Sequence, residues 1–426
     1  MEQGLPFGWT EHVNRGTIHD ETHARPSAPM SGAGFVRRAA FLSRDRGRDL
    51  QPLQASMQAL AGLEKGQARF ARQFSFRRGD VDVTWEMHNE FATLTWRSAE
   101  RPASAWPEGI GLEAHAALDF VAAMEVEVLM AAHMPPERLT PMASPSLCYA
   151  SLYEGQVEVA TDFVADENRM VHFILAAANC GDRRRGVIVR RLLEIETYRS
   201  LALLGLPVAR QLSGRVQVLE HDLSKITREI GDPGAVDIQR QGLDSLHRLS
   251  VEAGRQVEDT GFRLAATQAY GDILANRLER LGERSLGEST TITRYLDNRI
   301  RPALATCRAA EKRLGELGGR VQRSIELLNA TMSVAIQSQN QAVLDTILRT
   351  AVSTYRLQET VEGLSIIAMT YYGLGILGYV FEAFHDELPL AKPVMMTLAA
   401  PIVALLVFVL VRRLRRHKGA SKNGSH

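Results

Sequence analysis

The pattern of apolar and polar positions divides the chain into three regions. Up to about residue 180, apolar residues come in short runs rich in β-branched and aromatic side chains, which are typical of strands. From residue 181 apolar positions recur at steps of three and four, which indicates helices. Two later runs, 364–381 and 394–411, contain no charged residue. The pattern predicts a mixed region, a helical region and two membrane spans, in that order.

The first region is predicted to be a cytoplasmic α+β domain over 35–180. Gly, Pro, Ser and Thr are frequent in 1–34, so this segment is expected to be loosely ordered. Helices are expected at 51–63 and 112–124. Strands are expected at 69–76, 81–96, 126–133, 146–153, 157–164 and 170–176. The polar stretch 86–90 predicts a hairpin turn or an exposed strand face.

The helical region, 181–362, is predicted to form a stalk of amphipathic helices. The first helix has an apolar stripe that is expected to end at Pro207 and Gly214. No proline occurs between Pro302 and Pro389, so one helix can run from about Ala303 directly into the first span. Its apolar positions resemble a coiled-coil stripe: Leu314, Leu317, Val321, Ile325, Leu328, Met332, Ile336, Val343 and Ile347. The alternative is an antiparallel bundle without an oligomeric seam.

The two uncharged runs predict a transmembrane hairpin over 363–411. Each is long enough, at about 1.5 Å per residue, to cross a hydrocarbon core of about 30 Å. The tail, 412–426, is basic, whereas the connection 382–393 is mostly acidic, so the positive-inside rule places both termini in the cytoplasm. No apolar run occurs in 1–14, so we expect no signal peptide. The alternative is a pair of buried core helices.

Composition excludes some classes of function. Lys and Arg total 50 against 49 Asp and Glu, so the chain as a whole has no electrostatic footprint for nucleic acid. Its three cysteines, Cys148, Cys180 and Cys307, are far apart in sequence. This spacing excludes a disulfide framework and a cysteine-rich metal site.

One short motif is a candidate metal site. His19 and His23 are four residues apart, with Glu21 between them, so on a helix the two imidazoles would share a face and could bind a divalent cation. Asp20 stands where an H-E-x-x-H metalloprotease has its Glu, and Pro26 follows closely. The alternative is a loop or helix cap with solvated charges. No other cofactor is predicted.

Three further motifs can each be interpreted as either structural or functional. The glycines of 373–378 match G-x-G-x-x-G, but they lie in an apolar run, which favours close helix packing over nucleotide binding. The arginines of 183–191 could meet anionic lipid or a phosphorylated ligand, although a solvated helix face is the simpler interpretation. His172 is interpreted as a core or edge histidine. No P-loop or G-x-S-x-G motif is present, so the sequence does not indicate an enzyme.

Four segments resemble a family of bacterial membrane-anchored proteins that is defined by a domain of unknown function. These are HDETHARP at 19–26, WEMHNEFATLTW at 85–96, LLEIETYRSLALLGLPVAR at 192–210 and VEGLS at 361–365. The resemblance covers essentially the whole chain. It implies a location in the bacterial cytoplasmic membrane and brings no activity or catalytic residue with it.

The C-terminal third also resembles the CorA-type divalent-cation channels, which are homopentamers with both termini in the cytoplasm. The shared order is a long helix, a span, a short acidic loop, a second span and a basic tail. Those channels have Gly-Met-Asn at the outer end of the first span, whereas this chain has Gly378, Tyr379 and Val380. Val380 offers no amide to a hydrated cation. If a pore forms, one helical face would line it: Glu362, Ser365, Met369, Tyr372 and Ile376.

The sequence leaves three functions open. The first is a membrane-anchored homo-oligomer with a CorA-like layout, whose cytoplasmic domain senses or binds another molecule; its partners would be the bilayer and further copies of itself, and not nucleic acid. The second is a divalent-cation channel or transporter without the Gly-Met-Asn signature. The third is a membrane-tethered, metal-dependent enzyme that uses His19, Glu21 and His23.

Overall fold

The computed structural model describes residues 12–13, 15, 27–44, 48–63, 72–112, 118–142, 144–230, 236–383 and 392–420. The chain divides into two compact units, Met1–Ile325 and Glu326–His426. The first unit combines a sheet with helices, and the second is helical. The predicted order of an α/β region followed by a helical region with two apolar helices is confirmed.

The first unit is built on a sheet in which the described residues form nine strands. Its spatial order is β2-β3-β4-β1-β5-β8-β7-β6-β9, and neighbours pair antiparallel except for the parallel pair β5–β8. The strands are β1 (Gly34–Leu42), β2 (Gln73–Arg78), β3 (Val81–Met87), β4 (Phe91–Ser98), β5 (Asp119–Leu129), β6 (Cys148–Leu152), β7 (Val157–Ala165), β8 (Val171–Ala176) and β9 (Arg284–Ser285).

Helices cover both faces of this sheet and continue into the second unit. They are α1 (Gln51–Leu60), α2 (Pro136–Leu139), α3 (Asp182–Leu203), α4 (Gly205–Ile230), α5 (Val236–Glu279), α6 (Ile292–Ala383) and α7 (Lys392–Ala420). Short 3-10 turns occur at Ser144–Ser146 and Tyr153–Gly155.

The period-2 alternation of the strands gives each face of the sheet its own core. On one face, Val36, Met124 and Val126 pack with Leu192 and Ile195 of α3; we call this the α3 face. On the other, which we call the α1 face, the core contains Ala39, Ala123, Trp85, Trp96 and, from α1, Leu53 and Met57. A smaller cluster at the β7–β8 end of the α1 face contains Ala160, Ile174 and Met134. Between these two clusters the α1 face carries charged side chains.

Two predicted elements are corrected by the structure. The helix expected at 112–124 is wrong over its described C-terminal part, because β5 begins at Asp119 and pairs with β1 on one side and β8 on the other. Tertiary pairing on both edges overrides the helical preference of the alanines there. The first helix of the helical region does not end at Pro207 or Gly214. The break falls at Leu204, and Pro207 lies in the first turn of α4, where a proline costs no hydrogen bond.

The arginine-rich start of α3 is only partly the solvated face that the sequence suggests, since Arg183 and Arg184 are exposed and Arg185 is buried. Arg185 is only 2% exposed and its guanidinium donates to the carbonyl oxygens of Met30, Ala177 and Cys180. The next residue, Gly186, lies so close to Ala28 that an added Cβ would be 2.1 Å from its carbonyl oxygen. This part of α3 therefore fixes the segment before β1 to the loop after β8.

In the second unit, the C-terminal part of α6 and most of α7 are long and apolar enough to cross a membrane. This agrees with a membrane location. Gly373 and Gly378 of α6 allow α7 to approach, since added Cβ atoms would lie 3.0 Å from Val403 and 3.6 Å from Met396, while Gly375 has no such neighbour. The first part of the predicted coiled-coil stripe is buried within the single chain, as the bundle alternative expects: Leu314, Leu317, Val321, Ile325 and Leu328. Beyond Leu328, nearly every residue of α6 up to Glu362 is exposed.

Candidate ligand-binding cleft

A row of charged side chains crosses the centre of the α1 face. Arg37 of β1 pairs in register with Glu125 of β5, and Glu125 pairs in register with His172 of β8. Side chains of directly paired residues point to the same face of a sheet, so these three meet in the gap between the two apolar clusters.

Glu125 is the centre of this row. Its side chain is 2% exposed. Oε2 accepts a hydrogen bond of 2.5 Å from Nε of Arg37, and Oε1 accepts one of 3.0 Å from Nη2 of Arg101. His172 Nδ1 lies 3.3 Å from the same Oε1. Burial opposes ionisation, but the hydrogen bond from His172 and the charges of Arg37 and Arg101 outweigh it, so the pKa of Glu125 is below its usual value.

Glu127 extends the row by one step along β5. It lies two residues from Glu125, so both carboxylates are on the same face. Oε1 of Glu127 is 2.9 Å from Nη2 of Arg138 in α2, and Oε2 is 3.8 Å from Nη2 of Arg101. Arg101 and Arg138 therefore contact opposite oxygens of one buried carboxylate, and their guanidinium groups are neighbours.

His172 joins this row to the loop before β8. The hydrogen bond with Glu125 raises the pKa of His172, burial opposes this, and Asp166, whose Oδ2 is 3.0 Å from Nε2, adds to the increase. Burial raises the pKa of Asp166, but the hydrogen bonds from Met170 N, His172 and Asn168 hold it below its usual value. The imidazole thus lies between two ionised carboxylates.

Replacing His172 with asparagine is expected to destabilise the protein most on the acid side of neutrality. A folded-state pKa above the ordinary 6.5 gives a stabilisation that is complete below 6.5 and disappears as the pH rises through the folded value. The difference in unfolding free energy between wild type and variant should therefore be largest below pH 6.5 and shrink as the pH rises through the folded-state pKa. Urea unfolding followed by tryptophan fluorescence measures this, and a difference that does not change with pH would contradict it.

These side chains line a cleft of about 410 Å³. The floor is charged and the walls are partly apolar. The lining residues are Arg101, Glu125, Glu127, Glu137, Arg138, Pro141, Met142, Asp162, Val164, Ala165, Asp166, His172, Phe173 and Ile174. A volume in this range suits a small molecule.

A second charged cluster lies on the α3 face and ties the sheet to the helices. Arg38 Nη2 is 3.1 Å from Oε2 of Glu86, and Glu90 accepts two hydrogen bonds of 3.1 Å from Arg263 of α5 and one of 2.6 Å from Tyr270. Arg38 and Glu86, together with residues of β4 and α3, line a space of about 60 Å³ that belongs to this cluster. Such a space is too small for a metabolite, so we assign this cluster a structural role.

The candidate metal-site and pore residues from the sequence analysis lie in different parts of the chain. His19, Glu21 and His23 lie outside the described residues, so the metal-site hypothesis stays a prediction. Among the residues that the structure does describe, no group of three or more His, Cys, Asp or Glu side chains could hold a metal ion. The proposed pore face is in α6, with Met369, Tyr372 and Ile376 exposed and Glu362 and Ser365 half-buried. Gly378 contacts α7, and Tyr379 and Val380 are exposed.

Residues 10–418 match the model of a family described as "Protein of unknown function (DUF3422)". The chain belongs to this family. It matches no curated protein. Membership in the DUF3422 family agrees with the resemblance to a domain of unknown function and assigns no activity to the cleft. Two of the quoted segments, 85–96 and 192–210, contribute residues to the charged cluster on the α3 face: Glu86, His88, Phe91, Thr93, Glu194, Thr197 and Tyr198.

Sequence reasoning missed the residues of the cleft. Glu125 and Glu127 belong to Met-Glu-Val-Glu-Val, whose alternation would place both carboxylates on one face of a strand. The helix predicted at 112–124 ends within this alternating stretch and obscures it. Arg101 and Arg138 come from a loop and a one-turn helix, and no local pattern connects them with β5.

Proposed function

We propose that this protein is a membrane-anchored homo-oligomer of CorA-like layout, whose α/β unit is a cytoplasmic sensing or interaction module. The observation that supports it best is the exposed apolar surface of α6 ahead of the first span. Over 343–355 a broad stripe of large side chains is more than half exposed: Val343, Leu344, Ile347, Leu348, Val352 and Tyr355. An amphipathic helix gains most of its stability by burying its apolar face, so this stripe requires a partner.

A second copy of the chain suits the stripe. Copies anchored in one membrane with the same topology present α6 in parallel and at the same height, and confinement to the bilayer raises their effective concentration. The stripe is wider than a two-stranded coiled-coil seam, which favours an assembly of more than two helices. The charged residues of this segment, such as Asp345 and Arg349, lie off the centre of the stripe.

Light scattering of the detergent-purified full-length protein tests this assembly. We expect a mass corresponding to more than two copies, and a lower mass for Leu344→Lys, which places an ammonium group at the centre of the stripe, where burial of an unpaired charge is costly. Ser353→Lys is the matched control, because nine residues along a helix of 3.6 per turn lead to the opposite face. A wild-type monomer, or equal masses for the two variants, would contradict self-association through this stripe.

Cation conduction is the second candidate, and the continuity of α6 supports it. The helix runs without a break from Ile292 through Glu362 to Ala383, so movement in the first unit could reach the span. Flux of a divalent cation into vesicles that contain the protein, reduced by Glu362→Ala, would assign this function. A pentamer without such flux would leave sensing or interaction as the role.

A further inference from the structure

We infer that the cleft on the α1 face binds a small organic anion, carrying a carboxylate or a phosphate, through Arg101 and Arg138. This inference deepens the proposed sensing role and rests on it. The side chains of Arg101 and Arg138 are 56% and 44% exposed, whereas those of Glu125 and Glu127 are at most 8% exposed. A ligand that enters the cleft therefore meets the two guanidinium groups before it meets Glu125 and Glu127.

The glutamates fix the arginines from behind. Each described contact between these arginines and the glutamates uses Nη2: 3.0 Å from Arg101 to Glu125, and 2.9 Å from Arg138 to Glu127. A guanidinium has five N–H donors in a planar fork, so the Nε and Nη1 donors of both groups are left for an oxyanion. Phe35 supports Arg101 further, with its ring centroid 5.0 Å from Cζ. Two neighbouring, pre-oriented forks match the geometry of a carboxylate or phosphate.

Burying these charged groups costs desolvation free energy, which calls for an explanation other than stability. Replacing such a charged cluster as a whole by well-packed apolar residues is often neutral or stabilising, although removing one partner alone is costly, so the cluster as a whole is not explained by stability. The arrangement is therefore better explained as a preorganised binding surface, in which carboxylates on a rigid strand hold the ligand-facing arginines in position.

The other residues of the cleft restrict the size and the charge of the ligand. Its volume of about 410 Å³ suits a molecule of metabolite size. Phe173, Ile174 and Met142 offer apolar contacts to the body of the ligand. Glu137, Asp162 and Asp166 also line the cleft and repel negative charge that lies away from the two arginines, which disfavours anionic polymers.

Isothermal titration of the full-length protein in detergent with inorganic phosphate and with succinate tests the inference. We expect saturable binding of at least one of them, weakened about ten-fold or more in Arg101→Lys and Arg138→Lys, because lysine keeps the charge but loses the planar fork. Arg301→Lys, which alters an exposed arginine paired with Asp297 on α6, is the matched control and should bind as the wild type does. Binding of phosphate alone assigns a phosphate-bearing ligand, and binding of succinate alone assigns a carboxylate.

A second measurement uses the unmodified sequence. The bound anion should protect Arg101 and Arg138, but not Arg301, from phenylglyoxal, with the modified peptides identified by mass spectrometry. Three results would overturn the inference: no binding of either anion below about 10 mM, equal binding by the lysine variants, or binding of the dication putrescine in place of the anions. Because self-association is measured separately by light scattering, failure here leaves the proposed assembly standing.

Discussion

Replacing Arg185 with methionine is expected to lower the free energy of unfolding of the α/β unit by about 3–5 kcal/mol. Methionine retains most of the apolar stem but removes every donor. The carbonyl oxygens of Met30 and Ala177, now 2.5 and 3.3 Å from Nη1 and Nε, would remain buried without these partners. Asp182, 3.1 Å from Nη1, would lose its counter-ion. The segment before β1 should separate from α3 first.

Tryptophan fluorescence during urea unfolding of the full-length protein measures this loss. Trp85, Trp96 and Trp106 lie in the first unit, and no tryptophan occurs in the sequence after position 106, so the second unit contributes no tryptophan signal. Arg184→Met is the matched control, because Arg184 is exposed and its hydrogen bond is to Gln156. The control should change stability by no more than about 0.5 kcal/mol. Equal effects of the two substitutions would show that the buried contacts of Arg185 do not hold the unit together.

Replacing Glu125 with leucine is expected to cost about 3–5 kcal/mol, because it leaves Arg37 buried without its carboxylate. Arg37 is 4% exposed and donates only to Ser104 and Ala105 carbonyl oxygens besides Glu125 among its described hydrogen bonds. The same substitution removes a partner of His172 and Arg101. The central strands of the sheet are thus affected together.

The double variant Arg37→Met/Glu125→Leu removes both members of the ion pair, whereas each single variant leaves one member without its partner. If the cost of Glu125→Leu comes mainly from the isolated guanidinium, the double variant should be less destabilised than the sum of the single variants by about 1 kcal/mol or more. The same fluorescence measurement gives all the values of this cycle. Strict additivity would mean that Arg37 and Glu125 act independently in spite of their contact.

The paired arginines of β1 show why the sequence alone missed this strand. Gly-Phe-Val-Arg-Arg-Ala-Ala-Phe-Leu has two adjacent charges in its centre, which argues against a buried strand. In the fold, Arg37 and Arg38 point to opposite faces, and each meets a buried carboxylate, Glu125 on one face and Glu86 on the other. The charges are compatible with burial only because residues 48 and 88 positions away neutralise them. No local pattern contains that information.

The local hydrophobic pattern was sufficient to predict those elements whose formation depends mainly on their own residues. The helix at Gln51–Leu60, the hairpin turn at 88–90 and the two apolar helices of the second unit agree with expectation. The cleft could not be predicted in the same way, because its arginines and glutamates come from three separate segments that only the strand order brings together. The alternation of Glu125 and Glu127 was the one feature of the cleft that the sequence pattern could have indicated.

Because β9 comes late in the chain, one edge of the sheet can be paired only after the other strands have been synthesised. Arg284 and Ser285 pair with Ser151 and Ala150 at the β6 edge, although the whole of α3, α4 and α5 separates them in the chain. During synthesis, β1 to β8 can pair as they emerge, but the β6 edge stays open until residue 285 is available. An open edge is a template for pairing with other chains. The nascent protein therefore carries an aggregation-prone edge throughout the synthesis of three helices, and closes it before the first apolar segment at 364 is made.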